Sequence, residues 1–159
     1  MFLFLFLNKQ LIFDHSSGQG QLNLSIGLKS QHSLLYPGLA SKPALVAEDV
    51  SLSIPFSRSV RTANVTATVG TVLFDEATKV LRWTVGKLTM DKTAQLSGIV
   101  YLQPGEKEES PSASFHWKVP SASVSGLSVA SLQLTSESYK PYKGVRSMAQ
   151  AGKYKIRLT

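Results

Sequence analysis

The residues of this chain with the chemistry for catalysis are few and badly placed. Three histidines, His15, His32 and His116, are too scattered for the short spacings that bring metal ligands together. There is no cysteine to supply a thiolate or a disulfide. Asp14-His15-Ser16 holds the residue types of a proton relay, but neighbours in sequence point apart, so the run reads as a polar turn. Gly18-Gln19-Gly20 lacks the third glycine and the following helix of a dinucleotide loop and is turn material. Asn23-Leu24-Ser25 and Asn64-Val65-Thr66 match the glycosylation sequon, yet both fall inside expected strands instead of loops. Without a nucleophile, base or metal cluster, the chain reads as a non-enzyme with no cofactor.

The chemistry that remains is recognition. From Tyr139 to Thr159 the chain reads YKPYKGVRSMAQAGKYKIRLT, a basic, aromatic-punctuated segment with no helical period. Over residues 131–159, Lys140, Lys143, Arg146, Lys153, Lys155 and Arg157 stand against Glu137 alone. A basic face suits acidic lipid headgroups, phosphates or acidic peptides. It suits equally a sheet edge that lysines protect from pairing. Tyr139, Tyr142 and Tyr154 are too sparse for a base-stacking platform, so nucleic acid is not the expected partner.

The elements that must position this segment follow a period of two. Residues Gln21 to Leu28 alternate polar and apolar without a break, and Val50, Leu52 and Ile54, then Val65, Ala67 and Val69, continue the pattern. Such alternation places one face on a core and the other in water, as in antiparallel strands. Thr71–Phe74 and Lys79–Val85, joined by a short polar connection, form the clearest hairpin. Further strands are expected near Leu96–Gln103, Ala113–Val119, Ser123–Leu134 and Lys153–Leu158. His116-Trp117 and Trp83 are expected to sit in or beside the core. Ser33–Lys42 and Pro104–Ser112 read as loops, the second as a mobile excursion. The opening MFLFLFLNKQLIF is too short to span a bilayer, and no positive charge precedes it. It reads as a buried strand, with a weak targeting segment as the alternative. Short strands at regular spacing indicate an all-β, antiparallel, immunoglobulin-like sandwich. A length of 159 residues suffices for one domain with a core, and the formal charge is +7.

Several blocks carry a resemblance to a known family. Gly20 to Gly27, Val69 to Asp75 continuing through Thr78 to Leu88, Leu96-Ser97-Gly98 and Ser125 to Val129 occur in order. They are followed by Tyr139-Lys-Pro-Tyr-Lys-Gly-Val-Arg146, Ala151-Gly-Lys-Tyr154 and Arg157. Together they resemble the mu homology domain of the medium subunits of clathrin-type adaptor complexes. The tail is most similar to the mu subunit of the third adaptor complex. Mu subunits of the first two complexes typically carry Trp where this chain has Gly144.

The resemblance implies a subunit that binds cytoplasmic tails of membrane cargo through Tyr-x-x-Φ signals, Φ being a bulky apolar residue. The peptide adds as a strand to an exposed edge, so its backbone supplies affinity and two pockets supply specificity. Carried onto this sequence, the edge is Gly144, Val145 and Arg146, with Arg146 over the tyrosine ring. Val145 lines the Φ pocket with Val129 and Leu132, whose spacing requires a twist or bulge because i and i+3 do not share a strand face. Ordinary core packing is the alternative role for Val129 and Leu132. Lys140, Lys143 and Lys153 are candidate contacts to an anionic membrane. The implied partners are cargo tails, the other large and small subunits of the heterotetramer and anionic lipids. The implied location is cytoplasmic, peripheral on Golgi and endosomal membranes and transport vesicles.

Family members also carry a longin-like N-terminal domain, then first mu-homology strands with an aspartate that accepts the tyrosine hydroxyl. Neither has a counterpart in this sequence. The expected division is a second subdomain over about 11–120, with 1–10 and 121–159 as remaining strands of the first. The C-terminal ribbon is therefore expected to be loosely held, and peptide affinity very weak. Two other functions compete: a secreted immunoglobulin-like adhesion module, and a β domain that binds acidic lipid through its basic tail.

Overall fold

The computed structural model describes residues 5–29, 45–123, 125, 127–135, 138–152 and 154–158. The expected Ser33–Lys42 loop and the first four residues lie outside these. The strands are β1 (Leu5–Asp14), β2 (Gln19–Leu28), β3 (Val46–Pro55), β4 (Val60–Ala67), β5 (Thr71–Asp75), β6 (Val80–Thr89), β7 (Ala94–Leu102), β8 (Ser112–Pro120), β9 (Met148–Gln150) and β10 (Tyr154–Arg157). They form an all-β, antiparallel sandwich. One sheet has the order β1-β2-β7-β4, and the other β10-β8-β3-β6-β5 with β9 also on β8.

The alternation read from the sequence sets which residues meet between the sheets. Leu22, Leu24, Ile26 and Leu28 of β2 face Val50, Leu52, Ile54, Leu81, Trp83, Phe115 and Trp117 across one buried cluster. Trp83 buries its ring and donates its indole N–H to the Val69 carbonyl at 2.9 Å, so its one polar atom is satisfied. Phe115 and Trp117 touch at 4.8 Å between centroids, and Tyr154 of β10 meets Trp117 edge-on at 5.5 Å.

Departures from strict alternation are local. In β3 the register slips between Ala47 and Val50, where Asp49 adopts φ +53°. This bulge lets Ala47 and Val50, three apart, both face the core with no exposure. Asp49, turned outward, pairs with Lys118 of β8 at 2.7 Å. The β5–β6 hairpin turns through Glu76–Lys79, and the Asp75 carboxylate accepts from the Ala77 and Thr78 amides at 3.0 and 3.3 Å. Gly70 enters this hairpin at φ +82°, and a Cβ there would collide with the Thr84 carbonyl oxygen.

The N-terminal run is an edge strand, not an enclosed one. Beta1 pairs along its whole length with β2 and has no neighbour on its other side among the described residues. Its residue 9 is out of phase: Lys9 stands opposite Leu24, on the inward face, and donates its ammonium to the Arg157 carbonyl at the end of β10. An inward charge on an edge strand blocks further pairing, and here it also ties the two sheets together.

Candidate functional site: the basic C-terminal segment

Beta8 determines where this segment becomes a strand. Lys118, Val119 and Pro120 pair with Gln150, Ala149 and Met148, and the Ala151 amide donates to the Trp117 carbonyl at 2.9 Å. The ladder ends with the Ser121 amide donating to the Ser147 carbonyl at 2.7 Å. Pro120 has no N–H to give, and Ser121 turns the chain at φ +58°. Residues before Ser147 therefore have no β8 backbone left to pair with. This is why Gly144, Val145 and Arg146, expected on an edge strand, lie just before β9 and outside any strand. The strand expected over Ser123–Leu134 is likewise absent from its described residues.

Among the described residues, the candidates lie on two stretches outside any strand that are joined by a hydrogen bond. Lys143 donates its ammonium to the Leu132 carbonyl at 2.6 Å, joining residues 127–135 to residues 138–147. Val129, Leu132 and Val145 are 56%, 51% and 57% exposed, so none of the three packs in the core. Outside a ladder the two-residue period does not apply, and the i, i+3 spacing of Val129 and Leu132 imposes no conflict. Gly144 and Arg146 are exposed, and a Cβ at Gly144 would meet only the Tyr142 ring at 3.8 Å, an ordinary contact. Lys140 is exposed, and Lys153 lies outside the described residues. Leu127, Leu134, Tyr139, Tyr142 and Met148, near these positions in sequence, are also exposed.

Electrostatics around the anchor are simple. The Lys118 ammonium beside Asp49 holds that carboxyl below its ordinary value. Burial against Trp117 pushes the Tyr154 hydroxyl up. Among the described residues no group of His, Asp and Glu could hold a metal ion, and no helix is long and apolar enough to cross a membrane.

The profile of the adaptor complexes medium subunit family matches residues 6–158. The chain belongs to that family. It is 39% identical over 144 residues to the AP-3 complex subunit mu of Dictyostelium discoideum, covering 89% of this chain and 32% of that protein. It is 38% identical to AP-3 complex subunit mu-1 of Gallus gallus, covering 94% of this chain and 34% of that one. An AP-1 complex subunit mu of Diplobatis ommata is 38% identical over 70% of this chain and 27% of its own length. The medium-subunit chain thus spans about a third of the length of these relatives. Among solved structures, the Fcho1 mu homology domain of Danio rerio with bound Eps15 peptide has TM-score 0.63 at 18% identity. It covers 98% of this chain and 51% of that one, and it supports the fold.

Sequence reasoning missed three features. The inward Lys9 was visible in phase, since Leu5, Leu7, Leu11 and Phe13 share its parity. The Pro104–Ser112 connection, expected to be mobile, is pinned by Glu108. Its carboxylate is buried and accepts from the Ser57 amide at 3.3 Å, the Ser57 hydroxyl at 2.5 Å and the Ser59 hydroxyl. No periodic signal marks a loop carboxylate as a latch. The third feature, a cleft around Arg61, depends on a bulge that the alternation cannot reveal.

Proposed function

We propose that this chain is the signal-reading part of an adaptor-complex medium subunit of the AP-3 type, acting in vesicle-mediated protein transport. Residues Gly144, Val145 and Arg146 receive a Tyr-x-x-Φ cargo peptide by strand addition. The observation that carries this reading is the backbone of residues 144–146 before β9, which has no strand partner among the described residues, together with exposed Val129, Leu132 and Val145. Its free N–H and C=O groups are what an incoming extended peptide pairs with, and the adjacent apolar side chains supply a place for Φ. Arg146 offers a planar cation to the tyrosine ring. A flanking pair, the exposed Lys140 and the Lys143 bound to Leu132, adds positive charge toward an anionic membrane.

The domain division belongs to the same reading. Residues 1–10 and 121–159 are remaining strands of a first subdomain, whose other strands a complete medium subunit carries together with a longin-like domain. The large and small adaptor subunits are then partners of that complete protein, on Golgi and endosomal membranes. The second subdomain in this reading spans about 11–120, and its boundary at residue 10 falls within β1.

Val145→Asp and Arg146→Ala, introduced into a complete medium subunit carrying this sequence, are expected to weaken Tyr-x-x-Φ peptide binding by at least tenfold in calorimetry. Folding should be unchanged, because both side chains are exposed. Undiminished binding in both variants would contradict the docking site.

A further inference from the structure

The β1–β2 turn, the start of β4 and the β7–β8 connection surround a cleft of about 430 Å³ that the C-terminal segment does not line. One of its lining residues, Arg61, is placed by a bulge. Val60 pairs with Leu102 and Thr62 with Tyr101, leaving Arg61 as the extra residue of β4. The bulge lays the Arg61 guanidinium over the Tyr101 ring, 6.0 Å from its centroid. The carbonyl it leaves outside the ladder accepts the Lys79 ammonium at 2.8 Å. The guanidinium thus lies within cation–π range of an aromatic ring, and among the described residues it forms no ion pair.

We propose that this cleft is a second docking site, which accepts on Arg61 an oxyanion, either carboxylate or phosphoryl, presented by a partner peptide. Arg61 is exposed, and its planar guanidinium, with no ion pair among the described residues, is suited to bidentate oxyanion recognition. His15, stacked on Phe13 at 6.3 Å, adds a second nitrogen group, and Ser16 and Ser17 add hydroxyls.

Neighbouring acids are mostly committed elsewhere. Asp14 is turned into its own turn, accepting from the Ser16 amide at 2.9 Å and hydroxyl at 2.6 Å. Glu76 accepts from Thr62 at 2.8 Å, and Glu108 from Ser57 and Ser59. Glu106 is the one acid lining the cleft, and it is exposed.

The walls are tied in place. Leu102 donates to the Gly18 carbonyl at 2.8 Å and Gln103 to the Ser59 carbonyl at 2.7 Å. The Glu108 latch holds the rest of the connection down, so little ordering accompanies binding. A concave cleft with a single arginine fits a protruding side chain. A bilayer surface is instead met by clusters of lysine and arginine.

The test is NMR titration of the 159-residue chain with acetyl-Ala-Glu-Ala amide, its phosphoserine and glutamine counterparts, and inorganic phosphate. Saturable shifts of the Arg61 Nε–H and Tyr101 ring signals with the glutamate or phosphoserine peptide, and none with glutamine, are expected. Which of the two saturates at lower concentration assigns carboxylate or phosphoryl. Arg61→Ala should reduce affinity at least tenfold. Arg61→Lys, which keeps the charge and loses the fork, should fall between. Glu108→Gln should weaken binding about threefold by loosening the wall. The proposal is overturned if no saturable shift appears at Arg61, or if free phosphate binds as tightly as the peptides. It is equally overturned if anionic vesicles perturb Arg61 while the peptides do not.

Discussion

Asp14 closes the β1–β2 hairpin by accepting hydrogen bonds that its charged form accepts more strongly than its neutral form. Hydrogen bonds from the Ser16 and Ser17 side chains, then from the Ser16 amide, hold its carboxyl down at about 2, against an ordinary 3.8. A depressed carboxyl stabilises the folded state fully above its unfolded value, and that contribution is lost as pH falls through the folded value. The stability difference between the native chain and Asp14→Asn should therefore be constant above about pH 5 and shrink between about pH 4 and pH 2. Urea midpoints of the two proteins across this range check it, and a difference independent of pH would count against the turn's geometry. The residue scale is also where the sequence was least legible. Asp14-His15-Ser16 was readable as a turn, but the acceptor role of Asp14 and the aim of Arg61 depend on backbone conformation that residue types alone do not specify.

At the scale of elements, alternation located the β2, β5–β6, β7 and β8 segments to within a few residues, because one face of each strand is buried and a slip would expose every apolar side chain. It failed for Ser123–Leu134 and for Gly144–Arg146, whose composition favours strands but whose pairing requires a neighbour. Beta8 supplies that neighbour only as far as Ser121. The Ala151 amide is one of the bonds holding the end of the chain to β8. Ala151→Pro removes that donor from a buried position and should cost about 3 kcal/mol of local stability. Hydrogen exchange should then accelerate in β9 and β10 while β2, β3 and β7 stay protected. Uniform acceleration would mean that β9 and β10 do not open separately from the sandwich.

For the molecule as a whole, the two regions differ in completeness. The sandwich buries its apolar residues between two sheets, whereas Leu127, Val129, Leu132, Leu134, Tyr139 and Val145 face solvent along one ribbon. Such a surface predicts self-association. Leu127→Ser together with Leu134→Ser should lower the aggregate fraction in light scattering while changing unfolding free energy by less than about 1 kcal/mol. A loss of several kcal/mol would show that the ribbon packs on the sandwich. The family was legible in the sequence because its tail motif is dense in unusual residues. The proposed docking geometry was not, since half of a strand-addition site consists of unpaired backbone, which leaves no mark on side-chain pattern.

In the proposed function, the backbone at Gly144–Arg146 accepts a tyrosine-signal peptide in extended form. The most direct measurement is the amide NMR spectrum of this chain titrated with a Tyr-x-x-Leu peptide and with its Ala-x-x-Leu counterpart. Saturable shifts are expected at Val145, Arg146, Val129 and Leu132 with a Kd on the order of 1 mM, absent for the alanine peptide. Shifts elsewhere only, or equal shifts from both peptides, would contradict it.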